Sequence, residues 1–337
     1  MRRKSVTIYD IAEKAGLSAP TVSRAINNKG YISAETQRRV SAAMEELGYR
    51  PRTGATEVVQ KPKTLIVNIP ILHNPFYYGI LDGVRASARA HGYYVLVYQD
   101  YLTLDSIGGM LEMLSSVNAD GLISTNFIPT ELEGRLKEAI PTVQCSEFNT
   151  DCQFSYVGVD DVAAGRSVTE HLISMGGTRL AMINGPERFK YSRDRRAGFL
   201  SAMENAGLNV PNDFVVELPE IEFNLAYAVA EQLLSLPERP NAIFGASDVI
   251  AIAVLRVAKK YGLKVPDDLL IAGFDNTEPS LMCSPTLTTM DMPKYQIGFT
   301  ACEMLIKQIE NTEARPRSIL LNTELIVRES TMAMANF

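Results

Sequence analysis

Two sets of residues stand out by type and spacing. The first is the run Ser18-Ala19-Pro20-Thr21-Val22-Ser23-Arg24-Ala25-Ile26-Asn27. Ser18 is a good helix N-cap, and Val22, Ala25 and Ile26 then fall on one apolar face. The opposite face carries Ala19, Pro20, Thr21, Ser23, Arg24 and Asn27. Arg24 is able to give two hydrogen bonds to guanine or to hold a phosphate, and Asn27 to do either less strongly. The hydroxyls of Thr21 and Ser23 suit phosphate oxygens, while Ala19 and Pro20 offer apolar contact to a thymine methyl. Pro20 falls in the first helical turn, where its missing N–H costs little. The plainer alternative is a three-helix packing module with a solvated charged face.

The second set follows apolar, strand-like segments. His73-Asn74-Pro75-Phe76-Tyr77 follows Thr64–Pro70, Ser146-Glu147-Phe148 follows Thr142–Cys145, and Ser247-Asp248 follows Ala242–Ala246. Asp275-Asn276 follows Leu269–Gly273, and Arg195 opens a helical pattern nearby. Parallel sheets bind ligands beyond the carboxyl ends of their strands. A polyhydroxylated ligand needs paired donors and acceptors, which Arg195, Ser247, Asp248 and Asp275 supply, and an aromatic face, which Phe76, Tyr77 or Phe148 supplies. Equally, Asp248 fits a helix cap, Arg195 a surface ion pair, and Phe76 and Tyr77 the packing of a helix start.

Other chemistries find little support. The four cysteines (Cys145, Cys152, Cys283, Cys302) form no C-x-x-C pair, and the three histidines (His73, His91, His171) are far apart. Free thiols in a reducing cytosol and no metal site are expected. No G-x-G-x-x-G, P-loop or G-x-S-x-G occurs, so an α/β enzyme is the weaker alternative and no cofactor is expected. No apolar run approaches a membrane span and no leader pattern follows Arg2-Arg3-Lys4, which points to the cytoplasm. A transport binding protein would fit the later part of the chain but has no use for the first 50 residues.

These residues need elements to hold them. A chain of 337 residues with 46% hydrophobic and 21% charged residues is globular and too long for one core. Its net charge of −6 is uneven. Residues 1–63 hold 12 Lys/Arg against 6 Asp/Glu, while the remainder holds 21 against 33. A small basic head on a large acidic body suggests that the head meets a polyanion. Three short helices fit the head. The first opens at Thr7 with Asp10 three residues on, runs through Ile8, Ile11, Ala12 and Ala15, and stops at Gly16. The second opens at Ser18. The third opens at Ser33, carries Val40, Met44 and Leu47, and stops at Gly48. Two helices joined by Ala15-Gly16-Leu17 make a helix-turn-helix, whose second helix enters the major groove by its N-terminal end.

Residues 52–63, RTGATEVVQKPK, read as a linker. Beyond them apolar strands alternate with helices such as Tyr77–Ala90, Ala163–Met175, Arg195–Ala206, Leu225–Leu234 and Val249–Tyr261. That alternation predicts two parallel sheets of about four or five strands.

The runs Val6-Thr7-Ile8-Tyr9-Asp10-Ile11-Ala12, Ala15-Gly16-Leu17-Ser18 and Thr21-Val22-Ser23-Arg24-Ala25-Ile26-Asn27 closely resemble the headpiece of the lactose/galactose repressor family. Ser33-x-x-Thr36 and Leu47-Gly48-Tyr49-x-Pro51 continue the likeness. The body is similar to periplasmic sugar-binding proteins and to the family's regulatory core. The fold implied is an N-terminal all-α helix-turn-helix headpiece (1–51), a linker (52–63) and an α/β periplasmic-binding-protein-like core (64–331) of two parallel-sheet subdomains. The first takes about 64–160 and 293–320, the second about 161–291 and 321–331. The resemblance implies crossings near Val159–Asp161, Asp291–Pro293 and Leu320–Asn322. It implies DNA contacts from Thr7, Tyr9, Ser18, Thr21, Ser23, Arg24 and Asn27, with Ala19 and Pro20 at base-reading positions. It also implies an effector held by Phe76, Tyr77, Ser146, Glu147, Phe148, Arg195, Ser247, Asp248 and Asp275.

In many members the linker forms a hinge helix with a leucine wedged into the minor groove. Here Val58 stands at that position, with Glu57 beside it. Gly273-Phe274-Asp275, Arg195-x-x-Gly198 and Leu325-Ile326-x-Arg328 look closest to the family's cytidine-responsive branch, which slightly favours a nucleoside over a free sugar as effector. The partners expected are double-stranded operator DNA, that effector and a second copy of the chain, with no membrane. The family resemblance assigns the helix Tyr77–Ala90 to the dimer surface, with Ile80 and Val84 either exposed there or in the core. A ligand-responsive repressor follows as the expected function, acting in the bacterial cytoplasm on the nucleoid.

Overall fold

The structure, a computed structural model, describes residues 6–26, 32–49, 63–311 and 315–332. The chain divides into a unit that ends at Pro62 and a second that starts at Lys63. The expected linker, apart from Lys63, and Asn27 lie outside the described residues.

In the head, three helices, α1 (Ile8–Ala15), α2 (Ala19–Ile26) and α3 (Ala34–Glu46), enclose Ile11, Ala15, Val22, Ala25, Val40 and Ala43. Local chemistry sets each boundary. The Thr7 N–H donates to the Asp10 carboxylate at 2.6 Å, and the Asp10 N–H returns to the Thr7 hydroxyl at 3.4 Å, a capping box. Gly16 adopts a left-handed φ of 63° and ends α1. The Ser18 and Ser33 hydroxyls accept from the N–H groups of Thr21 and Thr36. Arg39 donates to the Ala15 carbonyl at 2.7 Å, which fastens α3 to the turn between the other two helices.

The second unit holds two six-stranded sheets, each larger than the sequence pattern suggested. The first comprises β1 (Thr64–Ile69), β2 (Tyr94–Gln99), β3 (Gly121–Ser124), β4 (Thr142–Cys145), β5 (Ser155–Val159) and β11 (Ser318–Leu321), in the order β11-β5-β4-β3-β1-β2. The second comprises β6 (Leu180–Asn184), β7 (Val215–Glu217), β8 (Ala242–Gly245), β9 (Leu270–Asp275), β10 (Thr288–Asp291) and β12 (Glu324–Ile326), in the order β12-β10-β9-β8-β6-β7. All pairings are parallel except β10 with β12, which is antiparallel. The extra strands are β10, β11 and β12. Each has three or four residues, too few to show a period, and β11 and β12 also gain their partners from far along the chain. The chain passes between the sheets at Asp160, at Met292-Pro293 and at Asn322-Thr323.

Helices α4 (Phe76–Ala90), α5 (Ile107–Ser116), α6 (Glu133–Ala139) and α12 (Lys294–Glu310) belong to the first sheet by sequence or packing. Helices α7 (Asp161–Ser174), α8 (Lys190–Asn205), α9 (Phe223–Leu234), α10 (Asp248–Lys260) and α11 (Pro279–Met282) belong to the second. One finding corrects the sequence reading, one decides between its alternatives and one adds to it. Helix α8 begins at Lys190, so Arg195 lies in its second turn rather than at its start. Ile80 and Val84 are fully buried core residues of α4, not surface. Strand β2 is an exposed edge, with Tyr94, Leu96 and Val97 facing outward.

Helices α4 and α12 cross closely because glycines face each other's backbone. A Cβ on Gly83 would stand 2.0 Å from the Tyr295 carbonyl, and one on Gly298 would stand 2.1 Å from that of Ile80. Gly298→Val should therefore lower stability by about 3 kcal/mol through overpacking. Gly108→Ala, where the added methyl meets nothing, should raise it by about 0.5 kcal/mol. Urea unfolding of both variants checks the contrast, and equal effects would deny that the close crossing is the cause.

Candidate functional site

Two surfaces carry the candidate chemistry. On the head, Val22 and Ala25 turn inward, which sends Pro20 and Arg24 outward. Tyr9 is 77% exposed. The Ser18 and Thr21 hydroxyls bond each other at 2.8 Å at the start of α2. Thr21 and Ser23 are half-buried, and Ala19 packs partly against the head core, so it is less open than its position on the helix suggests. The Thr7 hydroxyl donates to Asp10 within the capping box.

The second surface is a narrow cleft between the two sheets. Its walls follow the ends of several strands: Asn74, Phe76 and Tyr77 beyond β1, Thr125 beyond β3, and Ser146 and Glu147 beyond β4. The facing wall is Phe189, with Tyr191 and Arg195 on α8, Ile221 beyond β7 and Asp275 at the end of β9.

Arg195 is the centre of this arrangement and is buried. Its Nε donates to Asp161 at 2.8 Å and its Nη1 donates to the Ala246 carbonyl at 2.6 Å. The same Nη1 lies 3.6 Å from the Asp275 carboxylate. The guanidinium rests 3.5 Å from the centre of the Phe274 ring, with Tyr191 4.8 Å away. A guanidinium suits this role because it is planar, always charged and able to stack while it donates.

Burial dominates the acids around it. Desolvation pushes the Asp275 carboxyl up to about 7 against the pull of Arg195, and raises Asp161 likewise. Glu147 is pushed up to about 8 by burial, although the N–H groups of Lys190 and Tyr191 donate to it. Glu147 thus takes the N-terminus of α8 from across the cleft, where that helix has no side-chain cap of its own. Burial also raises the Tyr77 hydroxyl beyond its ordinary range, beside Thr125.

Three non-glycine residues at the cleft have left-handed backbones: Ser146 (φ 69°), Asp275 (φ 104°) and Asn276 (φ 48°). Such conformations persist only where surroundings impose them. The Lys294 ammonium donates to the carbonyls of Asp275, Asn276 and Met292. Arg328 donates to the Asn276 side chain at 2.7 Å, and Asn276 donates to Asp291 at 2.8 Å.

Of the residues singled out in the sequence, Phe76, Tyr77, Ser146, Glu147, Arg195 and Asp275 meet in the cleft. Phe148, Ser247 and Asp248 do not line it. Phe148 stacks on Tyr156 with ring centres 4.2 Å apart, in space that Gly158 leaves open. Ser247 caps α10 through the Ile250 N–H. Asp248 accepts from Thr289 and from both the N–H and hydroxyl of Thr277, which braces the Asp275 turn from behind. The sequence reading passed over Thr125, Phe189, Tyr191 and Ile221. Thr125 directly follows a strand and was findable by that rule. Tyr191 shares a helix face with Arg195 at i,i+4 spacing, a signal that a helix beginning at Arg195 does not contain. Among the described residues no group of three or more His, Cys, Asp or Glu is placed to hold a metal, and no helix is long and apolar enough to cross a membrane.

Comparison with known proteins places both parts of the chain in known families. Residues 7–52 match the family described as bacterial regulatory proteins, lacI family, and residues 169–331 match a periplasmic binding protein-like domain. The chain is 32% identical to the HTH-type transcriptional repressor CytR of Escherichia coli K12, over 98% of this chain and 97% of that one. It is 32% identical to the ribose operon repressor of Halalkalibacterium halodurans, over 98% of each. Among solved structures, a complex of the transcriptional regulator CelR with cellobiose superposes with a TM-score of 0.71 at 26% identity, covering 96% of this chain and 99% of that one.

The raised carboxyls predict a pH dependence. Glu147 binds its proton more tightly folded than unfolded, where its value is near 4.5. Its contribution to stability is therefore complete at low pH and lost as the pH rises through about 8. Asp275 acts in the same sense up to about 7. The urea midpoint should fall between the mildly acidic and mildly alkaline range, and Glu147→Gln should flatten that fall. An unchanged slope in the variant would show that Glu147 ionises freely.

Proposed function

The chain belongs to the lacI family of bacterial regulatory proteins, ligand-responsive regulators that bind DNA, and from that premise we propose how this member works. The head reads operator DNA with α2 in the major groove. Ala19, Pro20, Arg24 and Asn27 face the bases, while Thr7, Tyr9, Ser18, Thr21 and Ser23 hold phosphates. The cleft binds a small nucleoside or sugar and thereby changes operator affinity. The observation that carries this reading is the buried Asp161–Arg195–Asp275 cluster, set between two sheets that three crossings join.

Each residue has a separable task. Asp275 accepts from ligand hydroxyls, and Arg195 both donates and holds Asp275 in place. Glu147 and Tyr77 meet the ligand from the first sheet, so a bound molecule touches both halves. Any ligand that favours one angle between the halves shifts the population toward it, with a coupling of ~1–3 kcal/mol between the sites. Asp248 and Ser247 act through the turn and helix they brace. A relative named as a ribose operon repressor supports a ligand of this class.

The protein acts as a homodimer, which would set two heads on the halves of a near-palindromic operator. The exposed apolar residues Tyr94, Leu96 and Val97 on β2, with Leu281 and Met282 on α11, support a partner surface on each half. Operator DNA places its work on the nucleoid in the bacterial cytoplasm. Reading the chain as a regulator rather than an enzyme rests on its relatives being transcriptional regulators.

Operator fragments selected from genomic DNA supply the test, with binding followed by fluorescence anisotropy. Arg24→Ala should weaken binding by ~1–3 kcal/mol while effector affinity stays unchanged. Equal loss of both would indicate misfolding instead. Asp275→Ala should keep operator affinity and lose the response to effector. A variant that still responds normally would remove Asp275 from the site. Thermal melting against nucleosides, pentoses and hexoses identifies the effector, since a ligand of the folded state raises the melting temperature.

A further inference from the structure

One short stretch of the second half, residues 188–193 at the start of α8, touches three successive loops of the first. In the loop after β2, the Tyr101 ring lies 4.7 Å from the Arg188 guanidinium and 6.2 Å from the Phe189 ring. In the loop after β3, the Phe127 ring meets the Arg193 guanidinium at 5.2 Å. In the loop after β4, Glu147 accepts from the N–H groups of Lys190 and Tyr191, and the Lys190 ammonium lies 4.2 Å from the centre of the Phe148 ring. Glu220, in the segment after β7, joins the same group. Arg188 bridges to one of its oxygens at 2.6 Å, and the Tyr101 hydroxyl donates to the other at 2.5 Å.

These contacts close the cleft. The cavity at its centre is about 40 Å³, while small-molecule sites run to about 300 Å³ and more. Tyr77, Phe189, Tyr191 and Arg195 crowd the space around it. A small molecule therefore enters only when the two halves part. The contacts that resist parting are hydrogen bonds, an ion pair and cations over rings, not an interdigitated apolar core, so they open at lower cost than the core does. The start of α8 has no side-chain cap of its own, so its N–H groups depend on Glu147 while the cleft is closed and on water or ligand once it opens.

We propose that residues 188–193, with Glu220, form a clasp that opens and closes as one unit and controls entry to the cleft. This rests on the cleft being the effector site, but it concerns the motion of the chain and not the identity of the ligand. Opening withdraws Glu147 from the start of α8 and exposes Tyr191 and Arg195 to an incoming molecule. The fraction of open molecules then scales the apparent affinity for any ligand, so the strength of the clasp sets how much effector the protein needs before it responds. Contacts that form one unit break together, whereas independent contacts break one at a time. Loss of the Tyr101–Glu220 bond should therefore be felt at the N–H groups that Glu147 holds, which Tyr101 does not touch.

Amide hydrogen exchange of the full-length protein, read residue by residue in a mass spectrometer, tests this. Tyr101→Phe should speed exchange at the Lys190 and Tyr191 N–H groups about tenfold and leave residues 199–203, further along α8, unchanged. A second reading uses fluorescence. The chain contains no tryptophan, so Phe127→Trp places a single indole against Arg193. Adding Glu147→Ala to that variant should shift its emission to the red and raise its quenching by acrylamide, although Glu147 and Phe127 lie on different loops. Unchanged exchange at Lys190 and Tyr191 in Tyr101→Phe, or an unmoved emission after Glu147→Ala, makes the contacts independent and overturns the clasp. Faster exchange along the whole of α8 shows general loosening and overturns it as well. Exchange at Lys190 and Tyr191 in the unaltered chain as fast as in an unstructured peptide overturns the closed cleft. None of these results bears on the effector reading, which the response of Asp275→Ala and the thermal melts judge separately.

Discussion

The buried guanidinium of Arg195 is the constraint around which the ligand-binding part of the molecule is organised. Taking such a charge out of water costs several kcal/mol, and only a complete shell of partners offsets that cost. Asp161, the Ala246 carbonyl, Asp275 and the Phe274 ring form the shell. Asp161 begins α7 directly after the first crossing between sheets, and Asp275 ends β9. The ion cluster therefore ties the hinge to the floor of the cleft. Glycines make its geometry possible. A Cβ on Gly165 would stand 2.7 Å from the Arg195 carbonyl, and one on Gly198 would stand 2.2 Å from that of Val162. Without them α7 and α8 would stand too far apart for Arg195 to reach Asp161.

The turn that carries Asp275 is held from several directions because its backbone is unfavourable for residues with side chains. Asp248 braces Thr277, Lys294 binds three carbonyl groups, and Arg328 and Asp291 bind Asn276. Lys294 opens α12, and its stem packs where a Cβ on Gly79 of α4 would fall. The Asp275 turn of the second sheet is thereby fastened to the helix pair of the first. Helix α4 also supplies Phe76 and Tyr77 to the opposite wall.

Glu147 adds a second tie of a different kind. A buried carboxyl group on one half accepts from the otherwise uncapped N–H groups at the start of a helix on the other. Proton and helix terminus both bear on the same buried oxygens. Tyr101 and Glu220 repeat the pattern nearer the mouth with a neutral donor and a charged acceptor. The two halves are thus joined across the cleft by polar contacts as well as through the three chain crossings. Such contacts open at lower cost than a packed core, which suits an element that must move.

Much of this was legible in the order of residues, because local chemistry wrote it. Thr7 with Asp10, Gly16, Ser18 and Ser33 fix the three head helices through caps that act over three or four residues. Short apolar runs fix β1, β4, β8 and β9 within a residue or two, and the strand-end rule finds Glu147 and Asp275 at the cleft. What the sequence leaves open is decided by groups distant along the chain. The start of α8 is one case: Lys190 to Asp194 is polar and patternless, and its helix is completed by Glu147, more than forty residues away. Strands β10, β11 and β12 are another, since each is too short to show a period and exists through its neighbour. The fates of Phe148, Ser247 and Asp248 are a third. They follow strands as a ligand-binding residue does, yet packing and capping claim them first. The sequence determines which groups are available at the strand ends. The tertiary structure determines which of them face the ligand, because a buried polar atom goes to whichever partner satisfies it.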